Sequence, residues 1–109
     1  MKVLVVEDEY ISRQLLLEML KPYAECHSAT NGVEAVEIFK NALEENKPFD
    51  LICLDIMLPE MDGHEVLRKV RQIEKEKNIY HLNCVKIIMT TALDDFDHIK
   101  EAFIDQCEA

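Results

Sequence analysis

Leu51-Ile52-Cys53-Leu54-Asp55-Ile56-Met57-Leu58-Pro59-Glu60-Met61-Asp62-Gly63 decides the fold. Four apolar residues run straight into one acid, Asp55, and Pro59, Asp62 and Gly63 then supply turn chemistry. A short apolar run bounded by turn signals reads as a strand buried on both faces, the kind found in parallel sheets. Asp55 therefore ends a central strand. In open α/β sheets ligands bind outside that carboxyl edge. A carboxylate there is either a cation ligand or a nucleophile, and the nucleophile is the expectation here.

The same pattern repeats on either side. Lys2-Val3-Leu4-Val5-Val6 is a β-branched apolar run that ends at Glu7-Asp8-Glu9, a second buried strand. From about 10 to 20 the period turns helical, with Ile11, Leu15, Leu16, Met19 and Leu20 on one stripe and Pro22 as the stop. Residues 25–29 form a short, poorly apolar strand suited to a sheet edge. Asn31 is placed to cap a helix that carries Val33, Val36, Phe39, Ala42 and Leu43 to about residue 45. After Gly63 a third helix runs to about 76 with Val66, Leu67, Val70 and Ile73 inward; its tail, Glu74-Lys75-Glu76-Lys77, reads as a solvated last turn. A loop over 78–83 leads to a strand over 85–90. Asp94, Asp95 and Asp97 then open a last helix that ends near 106. Strands alternating with helices mean a parallel sheet with right-handed crossovers.

At 109 residues the chain is one domain, 1–109, and 49 % hydrophobic residues suffice for a core. The formal net charge of −10, from 22 acids and 12 bases, speaks against direct nucleic-acid binding and suits a partner-binding protein. No apolar run approaches a membrane span and no signal peptide is recognisable, so the expected location is the cytoplasm. Cys26, Cys53, Cys84 and Cys107 lie far apart and the four histidines show no ligand spacing, which reads as reduced thiols used as small hydrophobes.

Three strands end in polar residues at one edge of the inferred sheet: Glu7 and Asp8, then Asp55, then Thr90 and Thr91. If the first and third strands are neighbours, three carboxylates converge. Like charges so close raise one pKa unless a cation is present. A few hard oxygen ligands with room for water suit Mg²⁺ or Mn²⁺. Such a cation offsets phosphoryl charge while a carboxylate oxygen attacks phosphorus, and Asp55 is the natural nucleophile. Thr91 can donate its hydroxyl to a phosphoryl oxygen. Each feature also has a plain structural meaning: Glu7-Asp8-Glu9 as an acidic first turn, Asp55 as a turn residue, Thr90 or Thr91 as a β-branched strand end. Their joint placement favours chemistry.

The sequence resembles the receiver domain of two-component response regulators over essentially its whole length. Val5-Val6-Glu7-Asp8-Glu9 resembles the first strand with its acidic pair, and the segment 54–63 resembles the phosphoacceptor stretch. Ile87-Ile88-Met89-Thr90-Thr91-Ala92 resembles the switch-hydroxyl strand. The resemblance implies a flavodoxin-like open parallel α/β sheet in the order 2-1-3-4, with a fifth β-α unit absent because the chain stops at Ala109. It implies Asp55 as phosphoacceptor, with Asp8, Asp55 and the Met57 carbonyl on the metal and Glu7 joining the metal site through a metal-bound water. It puts the switch hydroxyl on Thr91 and phosphate-loop support on Ala92, Pro59 and Gly63. Glu7 stands where the family often has Asp.

The expected partners are a histidine kinase or phosphotransfer protein and a downstream target protein that the sequence does not name. The unpaired edge of the last strand is expected to invite self-association. Two other classes compete. A pseudo-receiver would keep the acids for folding or contact and no longer use phosphate. A phosphatase of the haloacid-dehalogenase type also uses an Asp after a strand, but wants a second Asp two residues on, where Met57 stands. The expectation is a switch rather than an enzyme.

Overall fold

The computed structural model describes residues 1–56, 58 and 60–90. Within them the chain runs β1 (Lys2–Val6), α1 (Tyr10–Leu20), β2 (Glu25–Ala29), α2 (Gly32–Glu44), β3 (Leu51–Asp55), α3 (Gly63–Glu76), a 3-10 turn (His81–Asn83) and β4 (Lys86–Thr90). The four strands form one parallel sheet in the order β2-β1-β3-β4, as expected. The helix expected over 94–106 lies outside the described residues, as do Met57, Pro59, Thr91 and Ala92.

β1 and β3 are buried along almost their whole length because both faces are covered. Successive side chains of a strand point to opposite faces. Leu4, Val6, Ile52 and Leu54 therefore join Phe39 of α2 and Val66 and Val70 of α3 in one core layer. Val3, Val5, Leu51 and Cys53 pack in a second layer with Leu16 and Leu20 of α1. β2 is the poorly buried edge strand its sequence suggests.

The helices start where capping chemistry starts them. Asn31 Oδ1 accepts from the Glu34 amide at 2.8 Å, and Asp62 Oδ1 accepts from the Glu65 amide at 2.9 Å. α1 is capped by a glutamate: the Glu9 carboxylate accepts from the amides of Ile11 and Ser12.

Two helix faces differ from expectation. On α1 the buried line is Ser12, Leu16 and Leu20, spaced four residues apart, while Ile11 and Leu15 are 61 % and 48 % exposed. Leu16 and Leu20 of the expected stripe are thus buried, whereas Ile11 and Leu15 are not and the polar Ser12 takes the inward place one turn before Leu16. On α2 the small residue Ala35 faces the sheet and Val33 faces out.

The third difference is at the end of α3. Glu74, read as part of a solvated turn, is 2 % exposed. Its carboxylate accepts from the Val85 amide at 2.6 Å and from Arg71 Nη1 at 2.6 Å, and the same Arg71 nitrogen donates to the Val85 carbonyl at 2.9 Å. The Ile79 amide donates to the Glu74 carbonyl at 2.8 Å. Two side chains of α3 thus satisfy both backbone groups of Val85 where the chain turns into β4.

Candidate functional site

Strand register assembles the site. Val6 is level with Leu54, which brings the next residue of each chain segment, Glu7 and Asp55, to the same carboxyl edge. Asp55 is level with Thr90 on its other side. Past Asp55 the Ile56 amide donates to the Thr90 carbonyl at 2.9 Å, and the Gly63 amide returns to the Ile56 carbonyl at 2.9 Å, closing the loop. Gly63 is required by space: a Cβ there would lie 2.6 Å from the Asp55 carbonyl oxygen and 2.8 Å from Ile56 Cα. The start of α3 therefore rests directly on the backbone that carries Asp55.

Carboxylate oxygens of Glu7, Asp8 and Asp55 lie within 4.8 Å of one another. Glu7 and Asp55 are buried and Asp8 is exposed, so the cluster opens to solvent on one side. Burial pushes the Glu7 carboxyl up to about 7, against the lowering effect of the Glu9 amide, and the neighbouring charge of Asp55 adds to the rise. The Glu9 amide donates to Glu7 Oε1 at 3.1 Å, and Arg13 Nη1 donates to the Glu7 carbonyl at 3.0 Å and the Asp8 carbonyl at 3.4 Å. The turn between β1 and α1 is thereby held from both ends.

The acidic run Glu7-Asp8-Glu9 has split roles. Glu7 and Asp8 face Asp55, whereas Glu9 is the helix cap. Arg13 was missed in the sequence, although its place four residues after Glu9 on a helix brings it beside that turn. The donor set fits a small hard divalent cation: all oxygens, carboxylate-rich and open on one side for water. A cation placed among the three acids would also offset the burial and the Asp55 charge that hold Glu7 high.

These features define a class: an open parallel α/β protein with a carboxylate cluster, able to hold a cation, at the carboxyl ends of β1 and β3. The chain belongs to the response regulator receiver domain family, which it matches over residues 3–108. It is 32 % identical to the sporulation initiation phosphotransferase F of Bacillus subtilis, covering 93 % of this chain and 72 % of that protein. It is 40 % identical to the hybrid signal transduction histidine kinase L of Dictyostelium discoideum over 84 % of this chain, yet spans only 5 % of that kinase. The receiver domain of the Arabidopsis thaliana histidine kinase CKI1, solved with Mg²⁺ and BeF₃⁻, superimposes with a TM-score of 0.73 at 30 % identity, covering 96 % of this chain and 74 % of that one. Among the described residues no helix is long and apolar enough to cross a membrane.

Proposed function

We propose that Asp55 accepts a phosphoryl group from a phosphohistidine of a histidine kinase or phosphotransfer protein. An Asp55 carboxylate oxygen attacks phosphorus, the P–N bond of the donor breaks, and the histidine nitrogen leaves with the electron pair. Glu7, Asp8, Asp55 and the Met57 carbonyl are the proposed ligands of Mg²⁺, or of Mn²⁺ in its place. Bound there, the cation would offset charge on the phosphoryl oxygens. Glu7 acts from a buried position and, with its longer side chain than Asp, reaches the cluster through the turn that Arg13 holds. Thr91 supplies the switch hydroxyl, and Ala92, Pro59 and Gly63 support the loops around the phosphoryl group. Residues 1–109 act as one cytoplasmic receiver unit, a switch read by a target protein rather than an enzyme that turns over a substrate.

The observation that carries this reading is the convergence of three carboxylates within 4.8 Å at the ends of two adjacent parallel strands. Such a cluster costs folding stability, which a receiver recovers on binding its cation. The test is incubation with acetyl phosphate and Mg²⁺ followed by intact mass. One added phosphoryl group is expected, dependent on Mg²⁺ and lost in Asp55→Asn. Mg²⁺ binding without any labelling, by small donors or by a phosphorylated phosphotransfer protein, would instead identify a pseudo-receiver.

A further inference from the structure

The face formed by α2 and α3 runs against the charge of the rest of the chain. Between these helices lies a cleft of about 420 Å³ with Val36 and Ile73, both half-buried, among its lining residues. Lys40, Lys69 and Lys77 also line it, all three exposed, on a chain whose formal net charge is −10. Ion pairs among the described residues are Glu25 with His27 and Arg71 with Glu74, so among those residues none of the three ammonium groups has a carboxylate within 4.0 Å. The one acid in the lining, Glu76, accepts from Gln72 Nε2 at 3.2 Å. The cleft thus combines an apolar floor with an unpaired positive rim.

We propose that this cleft docks an acidic segment of a partner protein, with an apolar side chain covering Val36 and Ile73 and carboxylates meeting the three lysines. Charge complementarity selects that occupant. A polynucleotide needs an extended basic face, and the surrounding acidic surface repels its backbone. A peptide needs only a local match. Close pairing on the rim acts at short range, where screening by salt leaves the distant acids of the chain little influence. The site is also remote from the acceptor edge. Gly63, at the start of α3, touches the Asp55 backbone, whereas Ile73 and Lys77 are ten and fourteen residues on, about 15–20 Å along the helix at its rise per residue. Docking here leaves Asp55 open to a phosphodonor.

The test uses the 109-residue protein without any phosphodonor, so its outcome is independent of the acceptor reading. The probe is a fluorescein-labelled peptide of glutamates with leucine at every third or fourth position, followed by anisotropy. Saturable binding that weakens with added NaCl is expected. Exposed ion pairs are individually weak and add modestly, so the triple variant Lys40→Ala, Lys69→Ala, Lys77→Ala should bind roughly tenfold more weakly. Lys21→Ala, outside the cleft, should bind as the parent does, with both variants melting as cooperatively as the parent. The proposal is overturned by no saturable binding, by equal binding to the triple variant, or by equal binding of a leucine-free acidic peptide. Stronger binding of a single-stranded oligonucleotide than of the peptide would also overturn it.

Discussion

Replacing Glu74 separates a structural clamp from a solvated helix end. In Glu74→Ala the Val85 amide loses its 2.6 Å acceptor at a buried position. A buried donor left without a partner costs about 1–3 kcal/mol. Arg71 loses its partner too, but its side chain is 42 % exposed and regains water, so that pair adds only about 0.5–1 kcal/mol. The expected cost is therefore about 1.5–4 kcal/mol. For a domain of this size that corresponds to a fall in Tm of roughly 6–16 °C. Glu74→Gln keeps an oxygen for the Val85 amide but sets an amide donor against Arg71, and should cost about 1–2 kcal/mol. Glu76→Ala, two residues on and exposed, should stay within about 0.5 kcal/mol of the parent. Urea unfolding followed by far-UV circular dichroism reads all three. Amide exchange at Val85 should quicken in Glu74→Ala well beyond the global loss. If Glu74→Ala costs no more than Glu76→Ala, the clamp does not hold β4 as argued.

Four further outcomes follow from the site. Gly63→Ala sets a methyl group against the Asp55 carbonyl and Ile56 Cα, backbone atoms that yield only by moving the β3 end; it should cost about 1–3 kcal/mol and weaken Mg²⁺ binding measured by calorimetry. Mg²⁺ requires Glu7 deprotonated, and Glu7 titrates at about 7, so apparent affinity should fall up to about tenfold per pH unit below that and level off above it, a dependence that Glu7→Gln should flatten. The same raised pKa means that the metal-free fold binds more protons than the unfolded chain between pH 4.5 and about 7; this group's contribution to stability therefore declines as pH rises through that window, and a chemical-denaturation series with the opposite Glu7-dependent trend would refute the burial of Glu7. Glu9→Ala should lower Tm through loss of the α1 cap while Mg²⁺ affinity holds within about twofold, because Glu9 serves the helix and not the cluster.

The sequence announced the strands better than the helix faces, for a physical reason. β1 and β3 are covered on both sides, so nearly every residue is apolar and the signal does not depend on phase. A helix face depends on phase, and α1 offers apolar residues on more than one side. Ile11 and Leu15 are apolar yet face out, while Ser12 is polar yet buried one turn before Leu16. Glu74 was illegible because its partner is an amide eleven residues away in sequence, and nothing in a local charge pattern marks an acid that will serve a distant backbone group.

The acidic run after β1 shows what topology adds to motif. Glu7, Asp8 and Glu9 are three consecutive carboxylates with one composition and two meanings. A capping role and a ligand role are both available to such a run, and local sequence does not choose between them. Register chooses. Because Val6 is level with Leu54, the first residue past β1 must meet the last residue of β3, and Glu7 is carried against Asp55. Because α1 begins at Tyr10, Glu9 is left at the helix start with free amides in reach. Asp8 lies between, exposed, where it closes the cluster on the solvent side. The Asp55 charge that adds to the burial of Glu7 is a direct consequence of pairing β1 with β3 in that register. A positive charge among the three acids would offset it, so a cation bound there would couple its binding to the stability of this edge of the sheet.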